Sequence, residues 1–264
     1  MKNYLVIGNP INHSLSPKLH NTWLKTNNVN AFYDKQKLQE NEIKNFIQKI
    51  KQQKITGANV TVPFKKKVIP FLDKLSFEAE KTQSVNTIVF ENNNLVGHNT
   101  DVIGFTRAIT YLNFNTKGSK IFILGAGGVV PSIIFALNKM GASQITISNR
   151  TKEKAENLKI QFNNLKIIDW GTLQDFDMII NATSLGLNKE EINLDFTSIG
   201  NGKLFYDVIY NPSETNFLKE GRKLGNQVEN GKLMFLYQAF EAFKLWHGIE
   251  PQINENIMRL LQND

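Results

Sequence analysis

Short apolar runs, many of them β-branched, alternate with amphipathic stretches from one end of the chain to the other. Such runs predict strands over Tyr4–Ile7, Ala31–Tyr33, Ala58–Val60, Thr87–Phe90, Lys120–Leu124 and Gln144–Ser148. The series continues at Lys166–Ile168, Met178–Asn181, Leu204–Asp207 and Gln227–Glu229. Apolar residues recur at helical spacing over Ser16–Thr26, Glu40–Lys51, Val102–Leu112, Val130–Met140 and Lys152–Phe162. Regular β/α alternation predicts parallel sheets with helices on both faces. Strand signals stop at Glu229. Leu233, Leu236, Tyr237, Phe240 and Phe243 then mark one helix over Gly231–His247, and another follows Pro251. A boundary near Asp101 would give two α/β domains, 1–101 and 102–234, each long enough for its own core.

Composition narrows the chemistry. The 264 residues include no cysteine, which removes disulfides, thiolate metal sites and cysteine nucleophiles together. His13, His20, His98 and His247 are too far apart for a paired-histidine helix motif, so no metal is expected. The net charge of +7 comes from 31 Lys and Arg against 24 Asp and Glu. Only Arg107, Arg150, Arg222 and Arg259 are arginines; the lysines are scattered, with their densest run at Lys65-Lys66-Lys67. Nucleic-acid recognition favours the arginine fork, so a solvated lysine surface and no nucleic-acid partner are expected. No apolar run reaches the ~18 residues of a membrane span. The first apolar run breaks at Gly8-Asn9-Pro10, too early for a secretory leader, and a cytoplasmic location is expected.

One motif stands in the context that gives it meaning. The strand at Ile121–Leu124 leads directly into Gly125-Ala126-Gly127-Gly128-Val129-Val130, followed by a helical pattern with Pro131 in its first turn. Gly125 would permit the tight turn and Gly127 a close approach to a pyrophosphate on the helix N-terminus. The third position of the pattern, usually Gly or Ala, is Val130. The next strand ends in Ser148-Asn149-Arg150-Thr151, where an NAD site would carry an acidic residue for the ribose hydroxyl. Arginine there suits a 2′-phosphate, which points to NADP; Thr151 is also placed to cap the next helix.

Three N-terminal segments carry polar residues beyond what a scaffold needs: Gly8–Pro17, Gly57–Lys65, and Val85–Thr87 with His98–Asp101. Ser16 before Pro17 reads as a helix N-cap, whereas Ser14 has no such role. Pro63 marks a helix start, which would put the Lys65 cation in a first turn against the helix dipole. That placement costs stability unless a carboxylate or substrate oxygen compensates. Asp101 is the candidate partner, although it also reads as the N-cap of the helix from Val102.

Together these segments resemble the NADP-dependent shikimate dehydrogenase family. Further matching pieces are Asn181–Gly186, Asp207–Pro212, Gly231 with Met234 and Gln238, and Trp246-His247-Gly248, so the resemblance spans essentially the whole chain. It implies two α/β domains, one substrate-binding and one a Rossmann-type doubly wound parallel sheet, with the active-site cleft between them and helices 235–264 returning to the first. Lys65 and Asp101 match the catalytic pair. Ser14 and Ser16 match the residues holding the substrate carboxylate, and Asn59, Thr61, Asn86, Tyr210 and Gln238 match other substrate contacts. Gly125, Ala126, Gly127, Gly128, Thr183 and Gly231 match cofactor contacts, and Asn149, Arg150, Thr151 and Lys154 the 2′-phosphate site. The implied activity is reversible reduction of 3-dehydroshikimate with NADPH, on the route to aromatic amino acids, by a monomer or homodimer. Departures from the family pattern fall at Val102, Val129, Val130 and Leu233. Rival readings are a quinate-using sibling, a non-catalytic NADP sensor and a nucleic-acid binder.

Overall fold

The computed structural model describes residues 1–187, 190, 192 and 194–261. The chain divides into two compact units, Met1–Gly104 with the chain from Leu236 onward, and Phe105–Phe235.

The first unit holds β1 (Lys2–Gly8), α1 (Ser16–Thr26), β2 (Ala31–Lys37), α2 (Ile43–Lys51), β3 (Gly57–Val60) and β4 (Lys74–Leu75). It continues with α3 (Phe77–Thr82), β5 (Thr87–Glu91), β6 (Asn94–His98) and the first residues of α4 (Asp101–Tyr111). Its sheet runs β2-β1-β3-β5-β6-β4. The middle strands are buried on both faces, which is why β1 reads as an unbroken apolar run over Tyr4–Ile7; β3 is equally buried but carries the polar Asn59. On α2, Ile43, Phe46, Ile47 and Ile50 recur at helical spacing and bury one stripe against Leu5, Ile7, Ala58 and Ile88. Glu40–Glu42, predicted as part of that helix, forms a short 3-10 turn instead, closed by a bond from the Gln39 N–H to Glu42 Oε2 (2.6 Å).

This first sheet corrects the all-parallel expectation. β5 is antiparallel to both β3 and β6, and β5 and β6 form a hairpin. Its turn residues, Asn92 (φ 47°) and Asn93 (φ 60°), both sit in the left-handed region that asparagine tolerates and that two-residue hairpins need. The Asn-Asn pair was the available signal, but β6 is too polar at its ends to read as a strand.

The second unit holds β7 (Lys120–Leu124), α5 (Val130–Lys139), β8 (Gln144–Ser148), α6 (Lys152–Gln161), β9 (Leu165–Ile168) and β10 (Met178–Asn181). β11 (Leu204–Asp207), α7 (Asn216–Lys223) and β12 (Gln227–Glu229) complete it. The sheet is entirely parallel, in the order β12-β11-β10-β7-β8-β9. This is the strand order of dinucleotide-binding sheets, and its reversal point lies between β7 and β10. Phe122, Phe176, Phe196, Phe205 and Phe217 form an aromatic core beside it.

The last helices, α8 (Lys232–His247) and α9 (Glu255–Leu260), add to the first unit's packing from Leu236 onward. The Trp246 indole N–H donates to the Ile88 carbonyl (3.1 Å), and a side chain at Gly57 would meet that indole at 2.6 Å. Among the described residues no helix is long and apolar enough to cross a membrane.

Beneath α8 lies an aromatic box. His20 stacks flat on Tyr33 (4.3 Å, 3°) and meets Trp23 edge-on (5.8 Å) and Trp246 at a tilt (5.5 Å). Both its ring nitrogens are buried without a hydrogen-bond partner. Burial, aided by His247, pulls the His20 pKa down to about 3, while burial and Lys2 lower His247 to about 4. The unfolded chain binds protons at these rings below about pH 6.5, whereas the folded one resists until far lower. Stability is therefore full above that pH and lost as pH falls, by about 1.4 kcal/mol per pH unit for each such ring. His20→Phe, which keeps an aromatic face under Tyr33, should flatten the fall in urea midpoint between about pH 6.5 and about pH 4.5, the window in which only the unfolded ring takes up its proton. Parallel slopes for variant and parent would show that His20 does not carry the acid sensitivity.

Candidate active site

Strands β1 and β3 are parallel neighbours and end side by side, which sends two polar loops off one edge of the sheet. The Asn9 N–H bonds the Val62 carbonyl (2.9 Å) and the Thr61 N–H bonds the Ile7 carbonyl (2.9 Å). Where β5 begins, the Asn86 N–H bonds the His98 carbonyl at the end of β6 (3.0 Å), so Asn86 lies beside Asn99-Thr100-Asp101. The Val85 N–H bonds the Lys65 carbonyl (2.9 Å), which fixes the lysine backbone to the same place.

Lys65 and Asp101 meet there. Nζ lies 2.6 Å from Oδ2, and the two side chains are only 12% and 8% exposed. The other Asp101 oxygen accepts from Asn86 Nδ2 (2.9 Å). Asp101 can do this because it does not cap the helix, contrary to that part of the sequence reading. Asn99 does: its Oδ1 accepts from the N–H groups of Asp101 (3.1 Å) and Val102 (3.3 Å), and its Nδ2 donates to Thr82 Oγ1 and the Ser84 carbonyl. The helix-dipole argument for Lys65 also fails. After Pro63 the chain passes through turns to a short 3-10 segment at Ile69–Phe71, so no first helical turn exists at Lys65. What compensates its charge is the carboxylate itself.

The two serines exchange the parts expected of them. α1 begins at Ser16, the residue before it is Leu15, and no side chain caps the helix in the expected way. Ser14 Oγ instead accepts from the Ser16 N–H (3.3 Å), while the buried Ser16 hydroxyl lies close enough to the Tyr33 phenol to favour its charged form. Tyr33 donates to Asn59 Oδ1 (2.6 Å), and Asn59 Nδ2 donates to the Asn86 carbonyl (3.1 Å) and Thr87 Oγ1 (3.0 Å). Asn86 Nδ2 also reaches Thr100 Oγ1 (2.9 Å) and Gln238 Oε1 (3.5 Å). Tyr33, Asn59, Asn86, Gln238, Asp101 and Lys65 thus join one polar network, with Ser16 and Ser14 at its margin. Thr61 is half-buried beside it. Tyr33 was not singled out in the sequence, and Thr87 and Thr100 only as members of their segments; an aromatic residue leading into the polar run Asp34–Lys37 is the one signal Tyr33 offered.

The remaining predicted residues belong to the second unit. Gly125 (φ +107°) makes the turn after β7, and a side chain there would strike the Ala182 carbonyl at 2.8 Å. Gly127 and Gly128 are different: a Cβ on the first would touch only the Ala182 carbonyl at 3.7 Å, and on the second nothing within 4 Å. Among the described residues no contact demands glycine at either, which leaves room over the start of α5 for a ligand to approach the backbone. Pro131 lies in the first turn of α5, and Val130, Val102 and Leu233 are core residues. Past β8, Arg150, Thr151 and Lys154 are exposed, with no carboxylate among them. Thr151 occupies the N-cap position of α6, yet its hydroxyl makes no capping bond, and Asn149 Nδ2 holds the Thr151 carbonyl instead (2.7 Å). The donor set of Gly127, Gly128, Asn149, Arg150 and Thr151 fits a phosphorylated dinucleotide.

Thr183 is committed within its own loop: its hydroxyl donates to Asn181 Oδ1 (2.7 Å) and accepts from the Leu185 N–H (3.0 Å). Asn181 in turn donates to both oxygens of Asp207 (3.1 Å each), which also accepts from Thr215 (2.6 Å) and the Ile209 N–H (2.9 Å). Burial raises the Asp207 pKa to about 6 despite these donors. Gly231 approaches β11's exit so closely that a Cβ would lie 2.1 Å from the Val208 carbonyl. The Tyr210 ring stacks on Phe235 (4.8 Å, 29°).

Residues 6–88 match the family described as the shikimate dehydrogenase substrate binding domain, and residues 108–192 match shikimate / quinate 5-dehydrogenase. A shikimate dehydrogenase (NADP(+)) of Pelagibacter ubique is 54% identical over 98% of this chain and 98% of its own. The chain belongs to the shikimate dehydrogenase family. Solved structures agree. Shikimate dehydrogenase from Aquifex aeolicus superposes with a TM-score of 0.91 at 36% identity, covering 100% of this chain and 98% of that one. The Thermus thermophilus shikimate 5-dehydrogenase, in complex with NADP(H) and shikimate, gives a TM-score of 0.90 at 28% identity over 99% of each chain.

Asn99→Ala should remove both the α4 cap and the tie to α3, lowering stability by about 2 kcal/mol, at the upper end for a lost cap. Chemical denaturation of parent and variant checks this. A loss of a few tenths would mean that another group takes over the cap.

Proposed function

We propose that this protein catalyses the reversible, NADPH-dependent reduction of the ketone of 3-dehydroshikimate to shikimate. The observation that carries this reading is the buried Lys65–Asp101 pair at the head of a neutral polar network. Bound NADPH supplies the hydride to the carbonyl carbon. As negative charge grows on the carbonyl oxygen, the Lys65 ammonium stabilises it and delivers a proton to it. The ketone thus gains one hydride and one proton, and the reverse reaction returns both. An ammonium has three protons, and Asp101 engages one, orienting the others for the substrate. So little exposure at the pair keeps water from screening its field, which makes each contact worth more than it would be in solvent.

The ring of the substrate carries a carboxylate and hydroxyls, and the residues assigned to them are neutral. Ser14 and Ser16 would donate to the carboxylate, and Thr61, Asn59, Asn86, Tyr210 and Gln238 would hold the hydroxyls and fix the ring. Asn59 can serve only a hydroxyl, because both its amide protons are already bonded within the protein. Gly125, Ala126, Gly127 and Gly128 would hold the pyrophosphate, Thr183 and Gly231 would shape the loops around the cofactor, and Asn149, Arg150, Thr151 and Lys154 would take the 2′-phosphate. Action in the cytoplasm, as a monomer or homodimer, completes the reading.

NADP⁺ reduction followed by absorbance with shikimate, with quinate and NAD⁺ in parallel, tests the proposal; no turnover of shikimate would sink it. Lys65→Ala should cut kcat roughly 100-fold or more with little change in KM, the scale of a lost acid–base or oxyanion group. A near-normal kcat would remove Lys65 from the chemistry. Arg150→Ala should weaken NADPH binding by roughly tenfold to a hundredfold, the range of one charged hydrogen bond, and leave NADH nearly unchanged. Equal losses for both cofactors would contradict a 2′-phosphate contact.

A further inference from the structure

Tyr33 lies outside every motif that marks the substrate site, yet it joins two of that site's residues. Its side chain is buried, its phenol donates to Asn59 Oδ1 at 2.6 Å, and the buried Ser16 hydroxyl is close enough to favour the phenol's charged form. The ring is held flat against His20, an imidazole that spends neither nitrogen on a hydrogen bond and so acts as a plain aromatic surface.

The direction of each hydrogen bond follows from one fixed point. The Asn86 carbonyl can only accept, so the Asn59 group facing it at 3.1 Å must be Nδ2. Oδ1 then faces Tyr33, and the phenol must donate. With that proton committed, the phenol oxygen can only accept from Ser16. The Ser16 proton is therefore never displaced by a donor from below, and it can turn from the phenol to a ligand oxygen. Asn59, with both amide protons used at 3.1 and 3.0 Å, keeps one acceptor lone pair on Oδ1. The phenol thus leaves Ser16 a donor and Asn59 an acceptor.

We propose that Tyr33 is a positioning residue for the substrate: it sets Ser16 to donate to a carboxylate and Asn59 to accept from a ring hydroxyl. The proposal rests on the assignment of those two residues to the substrate made above. A ligand with a carboxylate and a hydroxyl donor spaced to match this polarity is held, and one with the opposite arrangement is not. Tyr33 touches no reacting atom, so its loss should appear in substrate binding and not in chemistry.

The test is steady-state kinetics of Tyr33→Phe, Asn59→Ala and the double variant, with shikimate and NADP⁺ varied separately and folding checked by circular dichroism. Phenylalanine keeps the ring on His20 and removes only the hydroxyl. The shikimate KM should rise roughly fivefold to tenfold, the scale of a lost buried hydrogen bond, with kcat within about twofold and the NADP⁺ KM unchanged. The double variant should fall well short of the product of the single effects, because Tyr33 acts in part through Asn59. An unchanged shikimate KM in Tyr33→Phe beside a raised one in Asn59→Ala overturns the role of Tyr33 and leaves the substrate site standing. A rise in both KM values, or fully multiplicative effects, overturns it too, since either marks general loosening. If neither variant moves the shikimate KM, Asn59 is not a substrate contact, and the inference falls with that assignment.

Discussion

A lysine and an aspartate paired where little water reaches them must be held by the rest of the chain, because desolvating two charges costs more than their mutual attraction returns unless the geometry is good and the remaining valences are filled. Lys65 and Asp101 meet that condition at 2.6 Å, with Asn86 filling the second carboxylate oxygen. Much of the first unit's construction follows from this. Antiparallel pairing of β5 with β6 puts Asn86 and Asp101 at one end of the sheet, and the Val85–Lys65 backbone bond ties the lysine loop to them. Asn99 takes over the capping of α4, which releases the aspartate from the work its position would otherwise give it.

The second unit is organised around close backbone approaches rather than around a charge. Gly125 and Gly231 are glycines because carbonyls of neighbouring segments lie where their side chains would be, while Gly127 and Gly128 face space the described residues leave unfilled. Asp207 is the exception. It is a fully buried carboxylate whose donors come from Asn181, Thr215 and Ile209, and through Asn181 it holds the Thr183 loop. Its pKa stays raised because burial outweighs those neutral donors, and among the described residues no cation compensates it as one does Asp101.

The inner strands of the parallel sheet were legible because burial on both faces writes itself into the sequence as a largely apolar run, and β7, β8, β10 and β11 fall on the expected residues, as does the short edge strand β12. The helices α3 and α7 were not, being short and mostly polar outside one or two contacts. The hairpin escaped for a different reason: its evidence is two asparagines in an unusual conformation, and periodicity does not register conformation. Side-chain roles were the least legible. Ser16, Asp101 and Thr151 each stand where a cap belongs by local rules, but the caps at α1, α4 and α6 depend on which partner the folded chain brings nearby. Tyr33 escaped because its partners lie 26 residues away at Asn59 and on α1, a distance no local pattern spans.

Neutral groups dominate the network for a reason tied to the reaction. The substrate has a carboxylate, and an arginine would be the obvious way to hold it. A second cation near Lys65 would repel the ammonium, draw on the same carboxylate, and offer the growing oxyanion a competing partner. Hydroxyls and amides bind a carboxylate more weakly, but they leave Lys65 as the only cation in the hydrogen-bonded set running from Tyr33 to Asp101 among the described residues. In the proposed mechanism its field then bears on one oxygen. The cost is that neutral donors must each point the right way, since no charge forces them to. That makes a residue with a single permitted hydrogen-bond direction, such as Tyr33, as necessary to the arrangement as the charged pair it never touches.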